Sequence, residues 1–328
     1  MAAKKRIFSG MQPTGVLHLG SYYGALVNWV RLQDEYECVY CIVDQHALTV
    51  DYEPAALQER VLILACLYLA AGIDPQKSIV FVQSQVPEHT ELAWYFSTIA
   101  SLGHLERMTQ FKDKSEQHGG ASLGLLAYPV LQVADILLYK ADAVPVGEDQ
   151  SQHLELTRDL AQRFNYRFGA VFPEPQTLLT RGKRILALDN EGKMSKSKPD
   201  STSVFMNDTA AATWEKLRVA TTDPARKRRT DPGDPHKCPI GHLHYALSSP
   251  EDIAWMEHGC TAAAIGCIDC KKRLAGNIDA EMGPIRERYE ELRAEPERVR
   301  AILEDGAARA RAIASGTIAE VRRVMGLR

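Results

Sequence analysis

The sequence predicts an α/β fold, in which a parallel sheet carries helices on both faces and a second, helical domain follows. Three observations lead to this fold class. Short apolar runs of strand length alternate with amphipathic segments up to about residue 188. Several of these runs end in glycine-containing or polar turns, where open parallel sheets bind ligands. Later in the chain the pattern is helical, at residues 209–220, 250–258, 279–294 and 296–324.

Length and charge limit the classes of function. The 328 residues suffice for about two domains with their own cores. A net charge of −3 excludes a uniformly basic nucleic-acid-binding surface, so RNA contact requires a local patch such as 226–229 (RKRR). The basic start, 1–6, precedes a strand-like segment, and the longest apolar run, 61–71, is too short to span a bilayer. We therefore expect a cytoplasmic protein with no signal peptide and no membrane contact.

The first predicted strand leads into a turn suited to phosphate. Residues 7–10 read as a buried strand, residues 10–15 (GMQPTG) as a turn, and residues 22–33 as an amphipathic helix. This order is how α/β folds present backbone N–H groups to phosphate. His18 and Gly20 lie where the helix begins, and glycine allows a nucleotide to approach the backbone closely.

Two further strands are predicted at residues 38–43 and 78–82, because both are continuous apolar runs. The first ends in polar residues, 44–46 (DQH), at the carboxyl end of a strand. Cys38 and Cys41 have the spacing of a redox pair, but residues three apart in a strand point to opposite faces. We therefore expect both cysteines to belong to the core.

A carboxylate interrupts the apolar helix predicted at residues 124–139. Tyr128, Gln132 and Asp135 share one face of this helix, since they are three to four residues apart. A carboxylate is costly to bury without a partner. Two interpretations stay open: Asp135 caps or pairs within the fold, or this face lines a pocket where Asp135 accepts a hydrogen bond from a ligand.

A second strand–turn–helix unit follows. Residues 143–146 read as a strand, residues 147–150 (GEDQ) as a polar turn, and residues 151–164 as a helix. This unit repeats the plan of the first one, and it extends the predicted sheet.

The segment 193–197 (KMSKS) shows no helix or strand periodicity. Two ammonium groups and two hydroxyls can wrap a polyphosphate, but lysine–serine pairs are also common on solvated loops. The five residues alone do not decide between these interpretations.

Four of the seven cysteines lie close together late in the chain: Cys238, Cys260, Cys267 and Cys270. Disulfides are not expected in a reducing compartment, so this spacing indicates a metal site. Four thiolates suit either a tetrahedral Zn²⁺ or a 4Fe-4S cluster. Nearby histidines could replace a thiolate at zinc; these are His236, His242, His244 and His258.

Seven segments in order resemble one family. They are residues 10–15 (GMQPTG), 18–21 (HLGS), 43–47 (VDQHA), 106–112 (ERMTQFK), 134–139 (ADILLY), 144–150 (VPVGEDQ) and 193–197 (KMSKS). The second and the last resemble the two signatures of class I aminoacyl-tRNA synthetases, and the others resemble the tryptophanyl-tRNA synthetases. Each segment alone is weak, but seven in order in matching context are specific.

The resemblance implies a two-step reaction. The carboxylate of L-tryptophan attacks the α-phosphate of ATP with Mg²⁺, giving tryptophanyl-adenylate, and the acyl group then passes to the 3′ end of tRNA(Trp). It also implies three regions and a homodimer. Residues 1–188 form a Rossmann-like catalytic domain, 189–200 a mobile KMSKS loop, and 201–328 a helical anticodon-binding domain, whose last helix is expected to return to the catalytic domain.

The resemblance also assigns site residues. Catalytic roles fall to Lys193, Lys196, Ser197, Lys114, Gln12 and His18. ATP-binding roles fall to Gln12, Pro13, Thr14, Gly20, Ser21, Gly147, Glu148, Asp149, Ile185, Lys193, Met194, Ser195, Lys196 and Ser197. In the tryptophan pocket, Asp135 accepts the indole N–H. The residues expected around it are Phe8, His46, Tyr128, Gln132, Val144, Val146 and Gln150.

A subset of this family resembles the cysteine spacing found here and carries a 4Fe-4S cluster near the anticodon, which favours the cluster over zinc. The basic run 226–229 just before it is expected to face RNA. Two residues depart from the family pattern. Ser21 stands where Asn or His is usual, and Gln132 stands where many relatives carry Met.

Three other functions compete with a tryptophan-specific synthetase. A tyrosine-specific relative would differ at Asp135 and the 147–150 turn. A small nucleotidyltransferase would share the turn at 18–21 but would not need the long helical part. An RNA-binding or regulatory paralogue without catalysis is disfavoured by the intact lysines of the 193–197 loop.

Overall fold

The structure is a computed structural model, and it describes residues 4–49, 51–109, 111–112, 122–146, 151–179, 185–195 and 198–328. For residues 146, 151 and 179 the structure describes the backbone but not the side chain. All statements about the fold and the site below refer to these residues.

The sheet has five strands, all paired in parallel, in the order β3-β2-β1-β4-β5. The strands are β1 (Arg6–Met11), β2 (Glu37–Ile42), β3 (Ser78–Val82), β4 (Ala143–Val146) and β5 (Gln176–Leu179). The predicted α/β fold with a parallel sheet and a helical part is confirmed. The order reverses direction at β1, so the carboxyl ends of β1 and β4 border the crevice where such sheets bind ligands.

The helices surround this sheet and continue beyond it. In chain order they are α1 (Leu19–Ser21), α2 (Val27–Leu32), α3 (Asp44–Ala47), α4 (Pro54–Ala70), α5 (Glu88–Ser97), α6 (Leu102–Glu106), α7 (Leu123–Leu138), α8 (Ser151–Phe168), α9 (Ala210–Val219), α10 (Pro239–Leu247), α11 (Pro250–Thr261), α12 (Cys267–Ala294) and α13 (Pro296–Met325). A π-helical turn (Tyr22–Leu26) joins α1 to α2. Within the described ranges, no helix combines the length and the apolar character needed to cross a bilayer.

Each face of the sheet covers its own hydrophobic core. Successive residues of β2 belong to different cores: Cys38 packs on the side of α4, and Cys41 packs on the side of α7. Both cysteines are completely buried. The prediction that they belong to the core is confirmed, because a strand turns successive side chains to opposite faces.

Helix α12 is longer than its pattern suggests. It begins at Cys267, twelve residues before the predicted start, and runs through Gly276 and Pro284. Leu274 and Ile278 are buried in the core beneath this helix. Their packing outweighs the local cost of glycine and proline, which is why the boundary was wrong.

The last helix, α13, packs on β3, α4 and α5. Its glycine at 306 allows the helix to touch the sheet backbone, since an added Cβ would overlap the carbonyl oxygen of Val80. Ion pairs hold the same helix at its far end. Arg322 donates to both oxygens of Glu91 at 2.7 and 2.8 Å, and Lys140 Nζ lies 2.5 Å from Glu320.

Gly306→Ala should therefore destabilise the protein, because the helix must move away from β3. We expect the free energy of unfolding to fall by about 3 kcal/mol, at the upper end for overpacked cores. Gly316→Ala in the same helix is the matched control, since an added Cβ there meets nothing within 4 Å. The free energy of unfolding of this control should rise by up to about 1 kcal/mol, because alanine has a higher helix propensity than glycine. Urea unfolding of both variants measures the difference, and equal midpoints would contradict this packing.

Candidate active site

The carboxylate of Asp135 lies at the centre of a buried polar cluster. The residue is 1% exposed on α7, beneath the carboxyl ends of β2 and β3. Oxygen Oδ1 accepts from Gln83 Nε2 at 2.7 Å and from His89 Nδ1 at 2.6 Å. Oxygen Oδ2 accepts from His46 Nε2 at 2.7 Å. The cost of burying a charge is thus offset by donors from three other elements.

These donors decide the protonation of Asp135. Burial by itself raises the pKa of a carboxyl group, and it is the largest single influence here. The charge and hydrogen bond of His46, with the hydrogen bond of His89, together outweigh it and hold the pKa of Asp135 well below its ordinary value. The group is therefore an anion at neutral pH and acts purely as a hydrogen-bond acceptor.

Asp135 is connected to the aromatic wall of the site through His89. The other ring nitrogen of His89, Nε2, lies 2.7 Å from the hydroxyl of Tyr139. The ring of Tyr139 stacks on Phe8 of β1, with centroids 5.5 Å apart and planes 6° apart. A residue expected in the tryptophan pocket, Phe8, thus touches the same network.

The second histidine, His46, contacts a different aromatic ring, that of Tyr128. Its ring meets Tyr128 edge-on at a centroid distance of 6.3 Å. The Tyr128 hydroxyl lies 3.1 Å from Nε2 of His153 on α8. Both Tyr128 and His46 are buried. The structure therefore brings together Phe8, His46, Tyr128 and Asp135 of the predicted pocket.

Two further predicted pocket residues lie beside this group. Gln132 is half-buried on α7, one turn before Asp135, and Val144 is buried on β4. Gln83 and His89 were not predicted. Gln83 follows a buried strand, which is a usable signal, but no sequence pattern distinguishes His89 from an ordinary helical histidine.

The predicted phosphate turn has a defined local geometry. His18 caps α1, and its Nδ1 accepts from the backbone N–H of Ser21 at 3.1 Å. A Cβ at Gly20 would lie 2.9 Å from the His18 ring, so glycine is needed for this ring position. The turn is anchored to the chain beyond the loop, because Leu19 N donates to Val204 O at 2.9 Å.

The lysine–serine segment folds back toward this turn. Leu186 and Lys193 pair as an antiparallel bridge, and Met194 N donates to Ile185 O at 3.0 Å. Met194 is buried, and its Cβ would lie 3.6 Å from a Cβ at Gly20. The two signature segments are therefore neighbours in space, although they are far apart in the sequence.

The remaining predicted site residues, most of them for the nucleotide and Val146 and Gln150 for tryptophan, divide into two groups. Those the structure describes are Gln12, Pro13 and Thr14 after β1, Ser195 after Met194, and the buried Ile185. Those outside the described residues are Lys114, Gly147, Glu148, Asp149, Gln150, Lys196 and Ser197, together with the side chain of Val146. The roles of this second group stay predictions.

The four late cysteines come from three helix ends. Cys238 precedes α10, Cys260 lies in the last turn of α11, and Cys267 and Cys270 lie in the first turn of α12. Burial, and then the other three cysteines, raise the pKa of Cys270 to about 12. The four sulfur atoms are therefore close enough to influence one another, and they need positive charge to become thiolates together.

The histidines near these cysteines have other partners. His244 lies 2.7 Å from Ser248 Oγ and 3.2 Å from the carbonyl of Cys270, and His242 donates to His236 O at 2.8 Å. Among the described residues, no group of three or more His, Cys, Asp or Glu side chains is arranged to hold a metal ion. Neither the four cysteines nor a set with a histidine in place of one of them forms such a group among these residues, so the predicted metal site stays a prediction.

One cation of the expected RNA-facing run turns inward. Arg226 donates from Nη1 to Cys260 Sγ at 3.7 Å and from Nη2 to Ile265 O at 2.5 Å. The next three residues, Lys227, Arg228 and Arg229, are exposed. Any RNA contact of this run therefore falls to these three side chains.

Known proteins match the chain over nearly its whole length. Residues 2–282 match the family model for tRNA synthetases class I (W and Y). The chain is 50% identical over 326 residues to the tryptophan–tRNA ligase of Deinococcus radiodurans, covering 98% of each. It is 46% identical over 328 residues to that of Thermotoga maritima, covering 98% of this chain and 99% of the relative. The tryptophanyl-tRNA synthetase from Campylobacter jejuni, solved with ADP and tryptophan, superposes with a TM-score of 0.90 at 32% identity, covering 98% of this chain and all (100%) of that one.

The contact between Gly20 and His18 leads to a test of nucleotide binding. Gly20→Ala should weaken ATP binding about 10–100-fold, because relieving such an overlap costs about 1–3 kcal/mol. Gly24→Ala is the matched control, since an added Cβ there meets nothing within 4 Å. Its ATP affinity should stay within about twofold of the wild type. Calorimetric titration with ATP compares them, and equal affinities would remove Gly20 from the nucleotide site.

Proposed function

The chain belongs to the class I tRNA synthetases of the tryptophan and tyrosine family, and we infer that it is an ATP-dependent tryptophan–tRNA ligase. It activates L-tryptophan with ATP to tryptophanyl-adenylate and transfers the amino acid to the 3′ end of tRNA(Trp). The full-length similarity to tryptophan–tRNA ligases carries this inference. A protein of this kind contributes to protein biosynthesis, and its partners are tryptophan, ATP and tRNA(Trp).

We propose that Asp135 selects tryptophan by accepting the indole N–H. Its carboxylate is buried, anionic and acceptor-only, which suits a neutral N–H donor in an apolar pocket. Phe8, Tyr128 and Val144 supply flat or apolar surface around it. A phenol, which offers its donor at a different distance from the ring, would leave unfilled the acceptor position of Oδ2 that is free among the described residues, and such a mismatch is disfavoured.

We propose that ATP lies between the 10–21 turn and the 193–197 loop. The turn before α1 borders this position, with His18 beside it and Gly20 allowing close approach. Lys193 and the remaining predicted cations, Lys196 and Lys114, neutralise developing phosphate charge. Mg²⁺, when bound with ATP, supplies further charge neutralisation. No covalent enzyme intermediate is required, because binding and orientation bring the two substrates into line.

We propose that residues 1–188 form the catalytic domain, 189–200 the mobile loop, and 201–328 the anticodon-binding domain. The helical part carries the exposed cations Lys227, Arg228 and Arg229, which suit a phosphate backbone. A cytoplasmic location follows from the requirement for tRNA. The last helix of the chain, α13, packs on β3, α4 and α5 of the proposed catalytic domain.

A homodimer is also proposed. Large apolar side chains are exposed on α5, α6 and α7: Trp94 at 68%, Leu102 at 59% and Leu123 at 78%. The helices that carry Trp94 and Leu102 both pack on α7. Exposed aromatic and aliphatic side chains on neighbouring elements are typical of protein interfaces.

We propose that the four late cysteines hold a 4Fe-4S cluster and not Zn²⁺. The donor set fits, because four thiols converge, and each corner iron of a cluster takes one thiolate. Arg226 at Cys260 adds a donor that stabilises thiolate charge. No redox substrate is implied, so the group has a structural role or supports anticodon contact.

The role of Asp135 is tested by amino-acid-dependent pyrophosphate exchange. Asp135→Ala should lower kcat/KM for tryptophan about 10³-fold, since losing a buried charged acceptor costs about 4 kcal/mol. The KM for ATP should change less than about threefold. Asp223→Ala is a control for loss of a buried, hydrogen-bonded carboxylate elsewhere. Equal losses for tryptophan and ATP in Asp135→Ala would exclude Asp135 as the residue that selects tryptophan.

The metal is identified by purifying the protein without oxygen. We expect a brown solution with absorbance near ~400 nm and about four irons per chain. Cys270→Ser should lose most of the iron, whereas Cys66→Ser, on the buried side of α4, should retain it. One zinc in a colourless protein would refute the cluster and leave the enzyme assignment intact.

A further inference from the structure

A histidine that no motif marks lies at the centre of the proposed selection site. His89 is completely buried on α5, and its two ring nitrogens bridge Asp135 and Tyr139 at 2.6 and 2.7 Å. His89 contacts Oδ1 of Asp135, whereas His46 contacts Oδ2. Its position raises the question of what a second histidine contributes to one carboxylate.

The donors divide unequally between the two oxygens of Asp135. Oδ1 accepts from Gln83 and His89, and a carboxylate oxygen has about two lone-pair sites. Among the described residues, Oδ2 accepts from His46 alone. The unfilled acceptor position therefore belongs to Oδ2, next to the His46 ring that borders Tyr128.

The protonation of His89 follows from its neighbours. Burial raises the pKa of Tyr139 well above its ordinary value, so its hydroxyl keeps its proton and can donate. It donates to Nε2, which places the imidazole proton on Nδ1, toward the carboxylate. Tyr139 is itself held by stacking on Phe8. The chain of donors thus runs from Tyr139 through His89 to Oδ1.

Helix α5 is anchored on both sides of this histidine's turn. The neighbouring Glu88 accepts from Ser315 Oγ at 3.0 Å, and the carboxylate of Glu91 accepts two hydrogen bonds from Arg322. Both partners lie on α13, the last helix. The far end of the chain therefore fixes the position of His89 relative to the sheet.

We propose that His89 is a positioning residue for amino-acid selection: together with Gln83 it occupies Oδ1 of Asp135, so that Oδ2 alone is presented to the indole N–H. This inference rests on the proposed function and deepens it. His89 does not touch the substrate. It acts by fixing the orientation and the charge of the residue that does.

The ionisable groups around Asp135 come from every element packed on it. Asp135 interacts with Cys41 of β2, His46 of α3, His89 of α5 and Tyr139 at the end of α7, while Asp44 and Glu88 act on Cys41 and Tyr139 in turn. Of these, the two histidines donate directly to its oxygens. Removing His89 lets burial raise the carboxyl pKa, so tryptophan use should fail at a higher pH on the acid side.

His89→Phe tests the proposal, with His89→Asn as the conservative variant, since an amide nitrogen can replace Nδ1. In pyrophosphate exchange, His89→Phe should raise the KM for tryptophan about 10–100-fold, the effect of one hydrogen bond to a charged group, and leave the KM for ATP within about threefold. His89→Asn should recover most of the loss. The acid limb of the pH profile for tryptophan should move upward in His89→Phe and return in His89→Asn.

A double variant guards against a folding defect. His89→Phe leaves the Tyr139 hydroxyl without its acceptor, and adding Tyr139→Phe removes that buried group. The double variant should fold and keep the weak tryptophan KM. An unchanged tryptophan KM in the folded double variant, or equal losses for tryptophan and ATP, would overturn the proposal. Absence of tryptophan-dependent exchange in the wild type would instead overturn the proposed function.

Discussion

The proposed amino-acid site depends on one physical constraint, a carboxylate that is only 1% exposed. Such a charge is tolerated only if donors surround it, and those donors come from three elements of the fold besides the helix that carries the carboxylate. His46 follows β2, Gln83 follows β3, His89 lies on α5, and Asp135 itself lies on α7. Because each contact is under 3 Å, small shifts of any element would expose an unpaired charge. The cluster therefore couples the geometry of the sheet edge to the geometry of the site.

Close backbone contacts at two glycines extend this coupling along the chain. At Gly20 the absence of a Cβ allows the His18 ring and Met194 to approach the same turn, which joins the nucleotide turn to the loop after residue 185. At Gly306 it allows the last helix to rest on β3, whose carboxyl end supplies Gln83. The C-terminal helix, which in sequence follows the cysteine-bearing region, thus supports the amino-acid site from behind.

Much of this arrangement could be predicted from local patterns, and the rest depends on tertiary contacts. Strands β1 to β4 are apolar runs because both faces of a parallel sheet are covered. Asp135 is conspicuous because it interrupts an apolar helix. By contrast, the donors Gln83 and His89 acquire meaning only once α5 and α7 are packed together. The inward turn of Arg226 and the early start of α12 are likewise set by neighbours far away in the sequence.

The central claim is that an anionic Asp135 accepts a hydrogen bond from the indole nitrogen. Tryptophan labelled with ¹⁵N at this nitrogen, bound to the full-length protein, tests it directly by NMR. We expect the indole N–H proton to resonate downfield of its position in free tryptophan and to exchange slowly with water, and both effects should disappear in Asp135→Asn. A resonance at the free position, exchanging freely with water while tryptophan is bound to the wild type, would contradict the account.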